Sequence, residues 1–228
     1  LTTIVHEYVT NSLDACEEAR ILPELVIKVP RLTDDRFIVC VTDNGPGIIK
    51  KKVSSVFGQL LYGSKFHRCK QSRGQQGLGI SASIMYARMT TGYPTTIISK
   101  ITPDSKAYKV KLSVDTAKNK PEIFDEEEID WSHSTGILVS MEIEARYVKG
   151  GKSVDEYIRQ TAFSNPHASI CYFNPDGDIF DYPRTVDMLP PEPKEIKPHP
   201  HGVEFGAFCD LIRREPSVQI QKVLLKSF

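Results

Sequence analysis

The stretch His6-Glu7-Tyr8-Val9-Thr10-Asn11-Ser12-Leu13-Asp14-Ala15 decides how the rest of the sequence is read. Around it Ile4, Val5, Tyr8, Val9, Leu13, Cys16 and Ala19 recur near the helical period and stop before Pro23, which predicts an amphipathic helix over 3–20. On that helix Glu7, Asn11 and Asp14 stand at i, i+4 and i+7, so a carboxylate, an amide and a second carboxylate share one face. Three oxygen donors on one stripe suit magnesium. The amide oxygen can meet the metal beside phosphate, while a carboxylate one turn away orients and deprotonates a water. The same stripe also suits a solvated polar face, so alone it does not choose.

Moving outward, Leu25–Val29 and Phe37–Thr42 are β-rich runs separated by Thr33-Asp34-Asp35, which predicts a hairpin. Asp43-Asn44-Gly45-Pro46-Gly47 then places a carboxylate at a strand end, with glycines that let a planar ligand approach the backbone. A buried aspartate there accepts a hydrogen bond from the exocyclic amine of adenine and repels the carbonyl of guanine. An ordinary turn explains the same residues. Gly74-Gln75-Gln76-Gly77-Leu78-Gly79 leads into a helix predicted from Leu78 to about Thr91, whose first amides can bind phosphate. Its G-x-x-G-x-G spacing reverses the dinucleotide fingerprint and no strand precedes it, so a Rossmann reading is rejected.

Gly58-Gln59-Leu60-Leu61-Tyr62-Gly63-Ser64-Lys65 resembles a P-loop with its last two residues exchanged, and it follows a predicted helix over 50–61 rather than a strand. It is rejected as a P-loop, with Ser64 and Lys65 kept as phosphate contacts from a polar lid over 62–76. Further strands are predicted over 95–101, 108–114, 137–143, 169–173 and 179–182, the last two flanking an Asn-Pro-Asp-Gly-Asp turn. Ser153-Val154-Asp155-Glu156 is a capping box opening a helix to about Phe163. Prolines at 190, 191, 193, 198 and 200 predict an extended linker, followed by two short helices over 205–213 and 218–228.

Composition sets the limits. The chain has 228 residues, 29 Lys+Arg against 29 Asp+Glu, and 40% hydrophobic residues, which is ordinary globular usage with no basic footprint across the whole chain. No apolar run approaches the ~18 residues of a bilayer-spanning helix, so no membrane partner is expected. The five cysteines, Cys16, Cys40, Cys69, Cys171 and Cys209, are odd in number and never paired as C-x-x-C, which predicts reduced thiols and a cytoplasmic protein. The scattered histidines offer no zinc-ligand spacing. The chain opens at Leu1 without a leader and reads as a fragment.

Taken in order, E-x-x-x-N-S-x-D-A at Glu7–Ala15, D-N-G-P-G at Asp43–Gly47 and G-x-x-G-x-G at Gly74–Gly79 resemble the three boxes of the GHKL ATPases. The wording around the first box, together with Leu61-Tyr62-Gly63-Ser64-Lys65, is most similar to the ATPase subunits of type IIB DNA topoisomerases. The resemblance implies an α+β fold: a two-layer sandwich with a mixed, mostly antiparallel sheet, here over 1–186, then the Pro-rich linker over 187–201 and the start of a helix-two-turns-helix domain over 202–228. It implies ATP and Mg2+ as ligands. Glu7 is implied as the general base, Asn11 as the metal ligand and Asp43, with Gly47, as the adenine site. Gly74, Gln75, Gln76, Gly77, Leu78, Gly79, Ile80 and Ser81 are implied as the phosphate cradle, with Ser64 and Lys65 from the lid. Thr135 stands for the fourth box, where Ser134 replaces the family's Gly.

The implied activity is an ATP-driven dimer gate that passes one DNA duplex through another. Its implied partners are a separate cleaving A subunit, a second copy of the chain and double-stranded DNA, and its implied place is the nucleoid. The family's N-terminal strap and C-terminal transducer are expected to lie outside this sequence. Two alternatives share the boxes: a histidine-kinase catalytic domain, and a nucleotide-operated clamp or chaperone without DNA. Glu7 poised for water and more than 100 residues after Gly79 argue against the first. The linker entering a helix pair argues against the second.

Overall fold

The computed structural model describes residues 1–62, 73, 78–192, 194, 203, 205–214 and 219–222. The chain divides into two compact units, residues 1–65 with 73–191, and residues 66–72 with 192–228. In the first unit the order is α1 (Thr2–Glu18), β1 (Glu24–Lys28), β2 (Arg36–Asp43), α2 (Lys50–Gly58), α3 (Gly79–Thr91), β3 (Thr95–Lys100), β4 (Ala107–Asp115), β5 (Lys120–Ile129), β6 (Gly136–Glu144), α4 (Val154–Ser164), β7 (Ser169–Phe173) and β8 (Ile179–Tyr182).

The eight strands form one sheet in the order β5-β4-β3-β6-β2-β1-β7-β8. Every neighbouring pair is antiparallel except β1 with β7, where Leu25 faces Ile170 and Ile27 faces Tyr172. Helix α1 packs against β2 and against both α3 and α4, while α2 meets α3 and the β4–β5 end of the sheet. The helices therefore form a continuous second layer, and the expected two-layer α+β sandwich is what the chain builds.

The core lies between the layers. Val5, Val9 and Leu13 of α1 are wholly buried with Ile27, Phe37, Ile97 and Ile143 of the sheet. Burying such side chains contributes about 1.5–3 kcal/mol each. Helix α1 ends where Arg20 takes a left-handed φ of 60° and the Ile21 N–H returns to the Cys16 carbonyl at 2.9 Å, closing the last turn ahead of Pro23. Helix α4 begins as its sequence signals, with the Ser153 hydroxyl accepting the Glu156 N–H at 3.1 Å.

Strand β5 is absent from the sequence reading. Its ten residues KPEIFDEEEI do not alternate and are almost all exposed. Charge pairing across the sheet edge holds it instead: Lys109 Nζ meets Glu127 at 2.6 Å, Lys111 meets Asp125 at 3.5 Å, and the Tyr108 hydroxyl donates to Glu126 at 2.5 Å. Helix α2, rather than a strand, runs into Gly58, as expected of the stretch that begins there. That glycine's own constraint is packing, because a Cβ there would overlap Pro121 at the start of β5.

In the second unit the described helix is α5 (Phe205–Arg214), with residues 220–222 also helical. The rest of the second helix expected there, the lid over 63–72 and the glycine run at 74–77 lie outside the described residues. No helix among the described residues is long and apolar enough to cross a membrane. The four described cysteines, Cys16, Cys40, Cys171 and Cys209, are free thiols.

Candidate functional site

A cleft of about 200 Å³ opens between α1, the start of α3 and the ends of β2 and β6. Asn11, Ser12, Asp14, Glu18 and Asp43 are among its polar lining, and Val41, Ile48, Phe57, Ile80, Ile137 and Val139 are among its apolar walls. Such a slot, apolar on its faces with a few fixed polar groups, is the form a planar heterocycle fits.

Asp43 is the buried end of β2, only 6% exposed. Its Oδ2 accepts the Ser12 hydroxyl at 2.8 Å, and its Oδ1 accepts the N–H groups of Gly45 at 2.9 Å and Ile137 at 3.2 Å. Burial pushes its carboxyl above the ordinary value, against the opposing pull of those three donors and of His133. The carboxylate is thus oriented by α1, by its own turn and by β6 at once. Gly136, with φ of 128°, backs onto the Asp43 carbonyl so closely that a Cβ would overlap its oxygen. Thr135 lies beside that pair, its hydroxyl donating to the Asn44 carbonyl at 3.4 Å. Gly47 takes a left-handed φ of 68° against the Lys100 carbonyl and leads into Ile48 on the cleft wall.

On α1, Asn11 donates its side-chain N–H to the Glu7 carbonyl. That bond fixes the amide's sense and leaves Oδ1 as the atom available to a ligand in the cleft. Glu7 is part exposed and its carboxylate sits against Gly79, the first residue of α3, so that a Cβ at 79 would overlap it. Asp14, the third oxygen of the predicted stripe, lines the cleft and is engaged by Arg73. It is buried and accepts from both the backbone and the guanidinium of Arg73, at 3.0 and 2.9 Å.

Of the predicted site residues, Asn11, Asp43 and Ile80 line the cleft, and Gly47, Leu78 and Gly79 border it in the chain. Ser81 is buried with its hydroxyl on the Gln59 carbonyl at 3.0 Å, where it ties α3 to the end of α2. Ser64, Lys65, Gly74, Gln75, Gln76 and Gly77 lie outside the described residues. Ser12, Gly136 and Ile137 were not singled out as site residues. Ser12 is legible only as the neighbour of Asn11, and Ile137 acts through its backbone, which leaves no side-chain signal.

Residues 1–134 match the family described as histidine kinase-, DNA gyrase B- and HSP90-like ATPases. Over its whole length the chain is 49% identical to the B subunit of type 2 DNA topoisomerase 6 from Methanococcoides burtonii, 46% identical to that of Archaeoglobus fulgidus and 39% identical to that of Pyrococcus horikoshii. It spans 37%, 38% and 40% of those proteins respectively, well under half of each. With Asn11 of the first box and Asp43 of the second lining one cleft, and that match across more than half its residues, the chain belongs to the histidine kinase-, DNA gyrase B- and HSP90-like ATPase family.

Proposed function

We propose that this chain is the nucleotide-operated part of a type IIB DNA topoisomerase, binding and hydrolysing ATP in the cleft between α1 and β2. The observation that carries the reading is the buried, triply held Asp43 facing the apolar slot, in a chain similar along its whole length to topoisomerase 6 B subunits. On this reading residues 1–186 are the ATP-binding domain, 187–201 the linker and 202–228 the start of the helix-two-turns-helix domain.

Asp43 reads adenine by accepting its exocyclic N–H, with Gly47 and Thr135 shaping the backbone around it. Ser64, Lys65 and the run from Gly74 to Ser81 hold the phosphates. The donor set fits magnesium of a particular kind. Among the described residues no group of three or more His, Cys, Asp or Glu could cage a metal ion. The single oriented amide of Asn11 suits a metal otherwise held by phosphates and water. Bound there, Mg2+ would neutralise charge on the triphosphate. Glu7, one helical turn from Asn11, would orient a water and take its proton.

At the level of the whole protein, two copies close on ATP around a duplex and reopen after hydrolysis, while a separate A subunit cuts the other DNA. ATP can favour closure only through phosphate contacts that differ between the closed and open states. The complex would act in the cytoplasm, on the nucleoid. The test is relaxation of supercoiled DNA by the full-length protein with its cleaving partner. Relaxation should require ATP, and Glu7→Ala should abolish it while ATP still binds. ATP-independent relaxation, or phosphate transferred from ATP to a histidine, would overturn the reading.

A further inference from the structure

Arg73 stands immediately before the glycine run, and its side chain is committed to three acceptors, of which Asp14 lines the cleft and Glu17 and Asn165 do not. Its Nη1 donates to Asp14 Oδ1 at 2.9 Å and to Glu17 Oε2 at 2.8 Å. Its Nη2 donates to Glu17 Oε1 at 2.8 Å and to Asn165 Oδ1 at 2.7 Å. Its backbone N–H donates to Asp14 Oδ2 at 3.0 Å. His167, 6% exposed, meets the same Glu17 Oε1 through its Nε2 at 2.8 Å. Both Nη atoms are spent on protein acceptors, so the guanidinium is occupied and is not held out toward a ligand. Two of its partners belong to α1 and a third to the connection between α4 and β7, so one residue pins three segments together.

The geometry of α1 gives this clamp a purpose. Gly79, at the far end of the glycine run, abuts Glu7, and Arg73, at the near end, is clamped to Asp14. Glu7 and Asp14 are seven residues apart on the same helix, about 10 Å along its axis, and Asn11 lies between them. The two described ends of the run therefore lie against one helix on either side of the proposed metal ligand, the near end bonded to it. No sequence signal marked Arg73, because an isolated arginine in a polar stretch reads as a solvated charge.

We propose that Arg73 is a positioning residue for the triphosphate: clamped to Asp14, Glu17 and Asn165, it holds the chain at position 73, the residue that leads into the glycine run, relative to Asn11. The inference rests on the ATP reading above and names a residue through which that reading works. Its effect should fall chiefly on the phosphates, because the clamp touches the cleft only through Asp14 and makes no bond to Asp43 or Ser12, which hold the adenine end.

The experiment measures binding of adenosine and of a non-hydrolysable ATP analogue with Mg2+, by calorimetry, to the chain and to Arg73→Ala and Arg73→Lys. Thermal unfolding of each protein is followed without ligand. Arg73→Ala should weaken the triphosphate analogue at least 10-fold while adenosine binding stays within 2-fold. Arg73→Lys should fall between, since an ammonium keeps the charge and loses the fork that spans Asp14 and Glu17. An unchanged ratio of the two affinities overturns the proposal, whether or not the unfolding midpoint drops. If the unaltered chain itself prefers the analogue no more than adenosine, the ATP reading falls, and the role of Arg73 falls with it.

Discussion

The first residue of α3, Gly79, leaves room for the Glu7 carboxylate by having no side chain, since a methyl group in its place would overlap that carboxylate. A glycine beside a helix start is usually read as close approach to a phosphate. Here it is also what lets the proposed base stand where it does. The atoms that would collide are the far end of a flexible side chain, so an alanine is accommodated by moving Glu7 rather than by breaking the fold. Gly79→Ala should therefore lower the ATP turnover of the full-length protein at least 10-fold, with nucleotide affinity within a few-fold of the original. Its stability should hold or rise, because alanine favours helix over glycine by about 1 kcal/mol. Steady-state hydrolysis alongside thermal unfolding checks this; unchanged turnover would remove the link between the two residues.

Gly136 presents the opposite case, because what it faces is backbone. With φ of 128° and the Asp43 carbonyl against its α-carbon, it can accept a side chain only if β2 and β6 move apart. Gly136→Ala should cost about 2 kcal/mol or more in urea unfolding, from strain and overpacking together. Adenosine binding should weaken alongside, since the neighbouring Ile137 N–H orients Asp43.

Asp43 trades stability for recognition. Its carboxyl is pushed up by burial, so the folded chain holds that proton at pH values where the unfolded chain has released it. Stability then falls as pH rises from the ordinary carboxylate value of about 3.9 to the raised value in the fold, and levels off above it. An amide has no such cost, and its oxygen can still accept the Gly45 and Ile137 N–H groups. Asp43→Asn should unfold no lower than the original chain at pH 7, with any advantage shrinking toward pH 4. Its amide N–H would oppose the exocyclic amine of adenine, so adenosine affinity should fall at least 10-fold. Melting curves across pH, together with calorimetry, test both halves. An undiminished affinity would sink the adenine assignment.

Glu17 behaves in the reverse sense. Burial works to raise its carboxyl, but the hydrogen bonds and charges of Arg73 and His167 outweigh it and hold the group below its ordinary value. That stabilisation is complete above the unfolded value of about 4.3 and is lost as pH falls through the lower value in the fold. Glu17→Gln should unfold at a lower temperature than the original chain at pH 7. The gap, of the order of 1 kcal/mol for a part-exposed pair, should close as the pH is brought down toward 3. A gap independent of pH would mean that shape, not charge, makes the contribution.

Much of this was legible in the sequence because the helices are amphipathic and most strands alternate. The periodicity of Val5, Val9 and Leu13 located α1 to within two residues, and Ser153 with Glu156 marked the start of α4. Strand β5 was not legible because it is an edge strand held by cross-strand charges, with no buried face to leave a pattern. The parallel pairing of β1 with β7 was equally silent, since it joins segments about 145 residues apart that carry no mutual mark. In the cleft, Glu7, Asn11 and Asp43 were read from residue types at fixed spacing. Asp14 was read only as part of the oxygen stripe, and its pairing with Arg73 left no mark because the two are remote in sequence.

The place of β6 in the sheet bears on how the domain can be cut. It is the last strand before α4, yet it lies between β3 and β2, joining β5-β4-β3 to β2-β1-β7-β8. The family match ends at residue 134, just short of it. A truncation at that boundary would remove β6, β7 and β8 together and leave β3, β2 and β1 each with an open edge, a recipe for aggregation rather than a minimal ATPase. On the ribosome, likewise, the two halves of the sheet stay unjoined until Glu144 has emerged.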